Sequence, residues 1–255
     1  MFIKYKVIKK FKYQFNYKNI VKADFKKKID LNTFDIGFSY FDFKIPKNVL
    51  DKIKIGGINF HPSYLPFNRG RHSAFWGIVK NTKLGASAHW LNSDFDTGDI
   101  FCQKKLDNNQ NYSAKEIYYK QLKLLKKVMI KTIDLIAKGE LKRIKQNHKK
   151  ASYHFATELN DYISFKIENK INNIKLARII KGTTFSKKTG IYLSDKKSKY
   201  LINSNFKIKN SKKNEKHYLK FKNLFGNLYN KKKVNFVIYL NNKKMIVNSK
   251  IYLLK

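Results

Sequence analysis

The stretch INFHPSYLPFNRGRHSAFWGIVKNTKLGASAHWLNSDFDTGDI, residues 58–100, decides the fold class of this chain. It begins with a short apolar segment that runs into a proline-containing loop, a pattern that predicts a strand followed by a turn. Residues 72–80 favour a helix, and residues 84–91 predict a second strand, which leads into a glycine-containing loop at 93–100. Because strands alternate with helices here, we expect an α/β sheet.

The flanking sequence extends this pattern on both sides. Residues 35–42 (FDIGFSYF) predict a buried strand, and residues 45–53 predict a short helix. The most regular helical pattern spans 113–138, where Ser113 and Glu116 form a capping-box pair at the start. We therefore predict an α/β fold built on an open, mostly parallel sheet.

The character of the sequence changes after residue 143. A polar linker, KRIKQNHKK, is followed by a helical pattern over 161–182. Beyond it, lysine- and asparagine-rich turns separate short alternating segments that predict strands: GIYLS, KYLI, NFKI, VNFVIYL and KMIVNSKIYLL. The sequence thus predicts two domains, an α/β domain at 1–143 and a small β-rich accessory domain at 144–255.

Two polar side chains, Asn59 and His61, mark a candidate site at the end of the first strand of this stretch. Successive side chains of a strand alternate between faces, so these two share a face, and Pro62 then ends regular pairing. An amide can donate to a developing oxyanion, and an imidazole can move a proton, as acyl transfer requires. The carboxylates of the DFDTGD loop could orient the imidazole. Taken alone, this spacing more often marks a structural pair than a catalytic one.

Composition excludes several classes of protein. The chain has 255 residues, 42% of them hydrophobic, which is enough for a substantial core. A single cysteine, Cys102, excludes an internal disulfide framework and a cysteine-rich metal site. No apolar run approaches the roughly 18 residues of a membrane span, and lysines interrupt every apolar segment near the N-terminus. The sequence therefore predicts a cytoplasmic protein without a signal peptide.

The net charge of +39 admits two interpretations. Such a charge is typical of proteins that bind nucleic acid. However, only four of the 56 basic residues are arginine, the residue whose planar fork suits phosphate and guanine. The excess of lysine, asparagine and isoleucine instead indicates a bias toward A/T-rich codons. We favour a solvated lysine surface over a selected footprint for nucleic acid.

The elements of residues 58–100 resemble the core of the folate-dependent formyltransferases, which include the methionyl-tRNA, glycinamide ribonucleotide and sugar N-formyltransferases. That family carries an Asn-x-His pair, a Ser-x-Leu-Pro loop, an Arg-Gly step, a Gly-x-x-x-His strand and an Asp-x-Gly loop. Here these elements occur in the same order as Asn59 and His61, Ser63 to Pro66, Arg69-Gly70, Gly85 to His89, and Asp96 to Gly98. The resemblance spans residues 35–138 and implies a formyltransferase-like catalytic domain.

The resemblance implies a role for each matching residue. The catalytic set would be Asn59, His61 and Asp96, with 10-formyltetrahydrofolate as the formyl donor and no metal. Asn59 would donate to the oxyanion of the tetrahedral intermediate, His61 would move protons, and Asp96 would hold His61. The donor's pterin would lie against two segments of the chain, Phe38, Ser39 and Tyr40 in one and Ser93, Asp94 and Phe95 in the other.

Four further residues are candidates for binding the acceptor. Arg69, Arg71 and His72 follow the proline loop and could meet an anionic group, although a solvated loop would explain them equally. His89 matches the family's strand histidine, and a packed structural role is its alternative. Family members usually begin with a strand and a glycine-bearing loop, whereas residues 1–36 contain no glycine. We therefore expect a shortened first strand–helix unit.

Three functions follow from these features. The favoured one is N-formylation of an amine on a nucleotide-linked amino sugar. The alternatives are formylation of methionyl-tRNA and a catalytically weak relative that binds folate or a partner protein. The expected partners are a small-molecule amine acceptor or, less in keeping with the lysine-rich composition, tRNA, with no membrane; a homodimer is left open.

Overall fold

A computed structural model describes residues 2–3, 35–40, 45–107, 111–186, 189–195, 198–211, 218–225, 232–240 and 243–254. The chain forms two compact units. The first comprises Met1–Ser73, Lys83–Asn108 and Tyr119–His154, and the second comprises Ala74–Thr82, Asn109–Tyr118 and Phe155–Lys255. The functional boundary predicted between residues 143 and 144 stays a prediction.

The elements up to residue 154 include the predicted strands and helices, together with two short strands at 69–70 and 153–154 that the sequence does not predict. They are β1 (Phe2–Ile3), β2 (Ile36–Ser39), α1 (Lys47–Leu50), β3 (Gly56–His61), β4 (Arg69–Gly70), α2 (Ser73–Val79), β5 (Gly85–Trp90), β6 (Ile100–Lys105), α3 (Ala114–Ala137) and β7 (Tyr153–His154). The five-stranded sheet has the order β1-β2-β3-β5-β6, and β4 pairs with β7. Most of the predicted opening strand–helix unit lies in residues 4–34, outside the described residues.

The α/β class is confirmed, but the strand directions differ from the expectation. Among the described strands of this sheet, only β2 and β3 pair in parallel, and the other three pairings are antiparallel. A parallel connection needs a crossover of about a dozen residues or more. The short loop 91–99 between β5 and β6 can only close an antiparallel hairpin, so the sheet is mixed rather than mostly parallel.

Alternation along β3 and β5 separates the core from the site. Ile58 and Phe60 on β3, together with Ala88 and Trp90 on β5, face a core completed by Leu125 and neighbouring apolar residues of α3. The residues between them in sequence therefore emerge on the opposite face of the sheet. The same pleat that builds this core thus gathers polar side chains on its other side.

Helix α3 begins as the capping box predicts. The main-chain N–H and the hydroxyl of Ser113 both donate to Glu116 Oε2, at 2.8 and 2.7 Å. The Glu116 N–H reaches back to Ser113 Oγ at 3.3 Å. These bonds satisfy amide groups that the first turn of a helix leaves without a partner.

The second unit contains the predicted β-rich region. Its elements after residue 154 are α4 (Glu158–Tyr162), β8 (Ser164–Lys166), β9 (Lys170–Asn172), α5 (Asn173–Thr183), β10 (Ile191–Ser194), β11 (Lys199–Asn210), β12 (Tyr218–Lys220), α6 (Phe221–Phe225), β13 (Lys233–Leu240) and β14 (Lys243–Leu254). The sheet order is β13-β14-β11-β10-β8.

Two local predictions for the second unit are wrong. KYLI and NFKI belong to one strand, β11, because β14 pairs with it residue by residue along its whole length. The helical pattern predicted over 161–182 is interrupted at 163–172, and α5 begins at Asn173, where the Asn172 side chain caps it by accepting from the amides of Ile174 and Lys175. No helix among the described residues is long and apolar enough to cross a membrane.

Candidate active site

The candidate site lies on the polar face of β3 and β5. Asn59 and His61 share that face, as their spacing predicts, and β5 places His89 directly opposite Asn59. All three residues are buried, at 7%, 7% and 1% exposure. The sheet therefore brings an amide and two imidazoles together without any contribution from loops.

The Asp96 carboxylate closes the cluster from the loop between β5 and β6. Its Oδ1 accepts from Asn59 Nδ2 at 3.4 Å and lies 3.2 Å from His89 Nε2. Its Oδ2 accepts the Gly70 N–H at 2.8 Å and lies 3.6 Å from His61 Nε2. The three predicted catalytic residues thus converge, with His89 as a fourth member that lies closer to the carboxylate than His61 does.

The surroundings of Asp96 keep it ionised. Burial by itself raises the pKa of this carboxyl group. The positive charge of His61, the hydrogen bond and charge of His89, and the Gly70 amide act in the opposite direction and prevail, so the pKa lies well below its usual range. A buried negative charge therefore faces both imidazoles.

Hydrogen-bond partners fix where the histidine protons reside. His61 Nε2 lies 3.1 Å from the carbonyl oxygen of Asn68, which can only accept, so Nε2 carries a proton. His89 Nδ1 donates to the Trp90 carbonyl at 2.9 Å in the same way. The contact between His89 Nε2 and ionised Asp96 is a hydrogen bond only if that nitrogen is protonated too. The same nitrogen lies 3.3 Å from the amide nitrogen of Asn59, which can only donate, so its two neighbours favour opposite proton positions at Nε2.

Two glycines of the predicted motif are required by backbone geometry. Gly70 has φ of +80°, and a Cβ there would collide with the His154 carbonyl. This conformation lets its N–H reach Asp96. At Gly98, a Cβ would overlap the carbonyl oxygen of Trp90. Gly70 thus donates to the Asp96 carboxylate, and Gly98 lets the loop that carries Asp96 pack against the Trp90 carbonyl.

The proline loop is held against the start of β5. The Ser87 hydroxyl donates to the Ser63 carbonyl at 2.7 Å and accepts the Leu65 N–H at 3.1 Å. The loop then ends at Asn68, which has a left-handed φ of +55°. The carbonyl oxygen of Asn68 lies 3.1 Å from His61 Nε2. The loop therefore gives the His61 ring a main-chain partner in addition to the Asp96 carboxylate.

Gln146, which falls in the polar linker of the sequence, belongs to this network. It is buried, and its Nε2 donates to the carbonyls of Asp96 and Gly98 at 2.9 and 2.6 Å. Its Oε1 accepts from Arg69 Nε at 3.3 Å and from Arg69 Nη2 at 2.7 Å. A lone glutamine in a lysine-rich stretch carries no local signal that could have identified it.

The predicted acceptor residues separate into buried and exposed pairs. Arg69 and His89 are buried, and the Arg69 guanidinium is bonded to Gln146 and lies 3.2 Å from His148 Nδ1. Burial lowers the pKa of Arg69, an effect that the Asp96 charge opposes. Arg71 and His72 are exposed, and His72 has a left-handed φ of +58°. Of the four, only this second pair is accessible to a ligand in the described structure.

The residues predicted to line the donor pocket lie in two places, around the C-terminal end of β2 and on the loop between β5 and β6. Phe38 is buried and stacks on Phe60, with ring centroids 5.7 Å apart. Ser39 pairs with Asn59 across β2 and β3, and Tyr40 follows it with an exposed side chain. Ser93, Asp94 and Phe95 are exposed on the loop that carries Asp96. A contact between any of them and folate stays a prediction.

Fold and site together define an α/β protein with a buried amide–imidazole–carboxylate cluster at the end of a sheet strand. Within the described ranges, no group of three or more histidine, cysteine, aspartate or glutamate side chains could hold a metal ion. The sequence profile of the formyl transferase family matches residues 12–133, which include the cluster's Asn59, His61, His89 and Asp96. These findings support a relationship between the chain and the folate-dependent formyltransferases.

Relatives and solved structures agree with this assignment. The chain is 24% identical to the methionyl-tRNA formyltransferase of Malacoplasma penetrans over 185 residues, covering 71% of this chain and 57% of the relative. It is 33% identical to the enzyme of that name from Clostridioides difficile over 110 residues, covering 43% and 36%. It thus spans about half the length of these relatives or less.

The fold also matches solved structures. An N-formyltransferase from Helicobacter canadensis, solved with folinic acid and dTDP-3-aminofucose, superposes with a TM-score of 0.56 over 84% of this chain and 73% of that one. The sequence identity is 21%, so this likeness concerns the fold. Together with the mixed sheet, it confirms the formyltransferase-like α/β fold.

Proposed function

We propose that this chain transfers a formyl group from 10-formyltetrahydrofolate to a primary amine. The observation that carries the proposal is the convergence of Asn59, His61 and Asp96 in one buried cluster at the end of β3. Asn59 Nδ2 lies 3.4 Å and His61 Nε2 lies 3.6 Å from the Asp96 carboxylate, and this arrangement supports the proposal. The donor enters as a second substrate and leaves as tetrahydrofolate.

Asn59 would stabilise the tetrahedral intermediate. The acceptor nitrogen attacks the formyl carbon, a C–N bond forms, and the carbonyl oxygen gains negative charge. A neutral amide N–H aimed at that oxygen lowers the barrier, and removing one such donor typically costs about 100- to 1000-fold in kcat. In the described part of the chain, Asn59 Oδ1 is buried with no hydrogen-bond partner. We assign it to accept an N–H of the attacking amine.

His61 would carry the proton that the reaction must move. The attacking amine loses one proton, and N10 of the folate gains one as its bond to the formyl carbon breaks, so the overall reaction is balanced. Asp96, ionised and 3.6 Å from His61 Nε2, favours the protonated ring during this transfer. His89 Nε2 lies 3.2 Å from the other carboxylate oxygen and is part of the polar surroundings of this buried charge.

The identity of the acceptor rests on fewer observations. Methionyl-tRNA is supported by the sequence relatives, since the Malacoplasma penetrans enzyme aligns with 71% of this chain. A nucleotide-linked amino sugar is supported by the Helicobacter canadensis protein, whose structure holds such a sugar, and by the scarcity of arginine. In either case exposed Arg71 is the side chain we assign to an acceptor phosphate.

A single-turnover assay with radiolabelled 10-formyltetrahydrofolate tests the proposal. Wild-type protein is offered methionyl-tRNA and, separately, nucleotide-linked 3-amino and 4-amino sugars. Formyl transfer to either acceptor class supports the reaction, and the preferred class identifies the acceptor. Binding of folinate without transfer to any amine would leave the alternative of a folate-binding relative and would overturn the proposed activity.

Variants locate the chemistry. His61→Ala should lower the single-turnover rate by roughly two to four orders of magnitude, and Asn59→Ala should lower it about 100-fold or more. Asn173→Ala is the matched control, because Asn173 is also buried but lies in the second unit, where it donates to the Tyr239 carbonyl. Equal losses in all three variants, per folded molecule, would contradict the assigned roles.

A further inference from the structure

We propose that Gln146 is a positioning residue that holds Asp96 in its catalytic orientation. This inference rests on the proposed formyl transfer and extends it beyond the motif residues. Gln146 lies 48 and 50 positions along the chain from the two residues whose carbonyls it binds. It is therefore a long-range contact rather than part of the loop's own structure.

The main chain at Asp96 is held by Gln146 and not by regular pairing. Asp96 has a left-handed φ of +55°, a conformation uncommon for residues other than glycine. The two amide hydrogens of Gln146 are both used on this segment, one on the Asp96 carbonyl and one on the Gly98 carbonyl. They keep the segment bent so that the carboxylate points back to β3.

The amide oxygen of Gln146 binds Arg69, which lies next to the glycine that donates to the Asp96 carboxylate. Oε1 accepts two bonds from Arg69, and the next residue, Gly70, donates its N–H to Asp96 Oδ2. Strand β4, which carries both residues, pairs with β7. One buried amide thus ties the main chain of Asp96 to the strand that binds its side chain.

The charges around Asp96 explain why its position matters for chemistry. The carboxylate is faced by His61 and His89 from the sheet and by Arg69 from β4. The distance between the Asp96 carboxylate and His61 decides how strongly the carboxylate favours a protonated His61 ring. A misplacement of about 1 Å, even one caused far from the reacting atoms, can cost about 100-fold in rate.

The test is Gln146→Met, which keeps the length of the side chain and removes both the donors and the acceptor. We expect kcat at saturating substrates to fall about 10- to 100-fold. We also expect the pKa of Asp96, followed by ¹³C NMR of its carboxyl carbon, to rise toward the ordinary aspartate value because the carboxylate leaves its donors. Val128→Ala, a truncation in the same unit's core, serves as the control for lost stability.

A double variant tests whether the effect of Gln146→Met arises at Asp96 or from leaving the buried Arg69 guanidinium without its acceptor. In Arg69→Met/Gln146→Met no buried guanidinium is left without its acceptor, so folding should be retained. If Gln146 acts on Asp96, kcat and the Asp96 titration stay as perturbed as in Gln146→Met. Recovery of both to the values of Arg69→Met alone would overturn the inference, as would an Asp96 titration in Gln146→Met that matches Val128→Ala.

The two proposals fail in different ways. If wild-type protein transfers no formyl group, the proposed function fails, while the NMR titration still reports whether Gln146 positions Asp96. If wild-type protein is active but Gln146→Met retains full kcat and an unchanged Asp96 titration, only the inference about Gln146 is refuted.

Discussion

Replacing Asp96 by asparagine tests the electrostatic account of the site. The substitution preserves shape and removes one buried negative charge. The carboxylate accepts from the Gly70 N–H at 2.8 Å, lies 3.2 Å from His89 Nε2, and is only 8% exposed. Removing one partner from a buried, hydrogen-bonded charge pair costs about 3–5 kcal/mol. We expect a loss of that size in the unfolding free energy at pH 5.

The pH dependence gives the sign of the effect. The pKa of Asp96 is depressed in the folded protein, so its stabilising contribution is complete above the unfolded value of about 3.9. It is lost as the pH falls through the lower, folded pKa. The difference in unfolding free energy between wild type and Asp96→Asn should therefore have its full size at pH 5 and shrink below about pH 4.

The chain's two tryptophans make this measurement specific to one unit. Trp90 lies in the first unit and Trp76 in the second, so denaturation of a Trp76→Phe background followed by fluorescence reports the unit that holds Asp96. Asp51→Asn is the control, because Asp51 forms an exposed ion pair with Lys47 and should cost no more than about 1 kcal/mol. A loss at Asp96 as small as the control's, or one unchanged down to pH 3, would refute the reasoning.

Three further expectations concern backbone space, capping and a perturbed amine. Gly98→Ala should destabilise the first unit by about 1–3 kcal/mol because its methyl group would overlap the Trp90 carbonyl; an unchanged melting temperature would contradict this. Asn172→Ala should cost about 1 kcal/mol by removing the cap of α5, measurable by denaturation of the second unit, and Asn172→Asp should largely restore it. Burial and neighbouring Arg178 lower the pKa of Lys181 to about 8, so at pH 8 an amine-reactive ester should acylate Lys181 ahead of exposed lysines. Arg178→Gln should slow that labelling. Peptide mass spectrometry would contradict the account if Lys181 were not labelled ahead of exposed lysines or if Arg178→Gln left its labelling rate unchanged.

Local sequence rules determined the parts of this protein that depend on neighbours in the chain. The period of two in a strand is sufficient to put Asn59 and His61 on one face. The Ser113–Glu116 spacing likewise predicts the start of α3, and both predictions are confirmed. The family motif also includes Gly70 and Gly98. Only the structure explains why these positions require glycine, because the carbonyls of His154 and Trp90 leave no room for a Cβ there.

The tertiary structure decided what depends on the path of the chain. The direction of β5 relative to β3, the burial of Arg69 and the recruitment of Gln146 have no local signature, because each follows from segments that meet across tens of residues. Charge made this harder to foresee: in a lysine-rich chain, one buried arginine and one buried glutamine look like their solvated neighbours. Only packing, which removes water from both and forces their polar groups to find each other, distinguishes them.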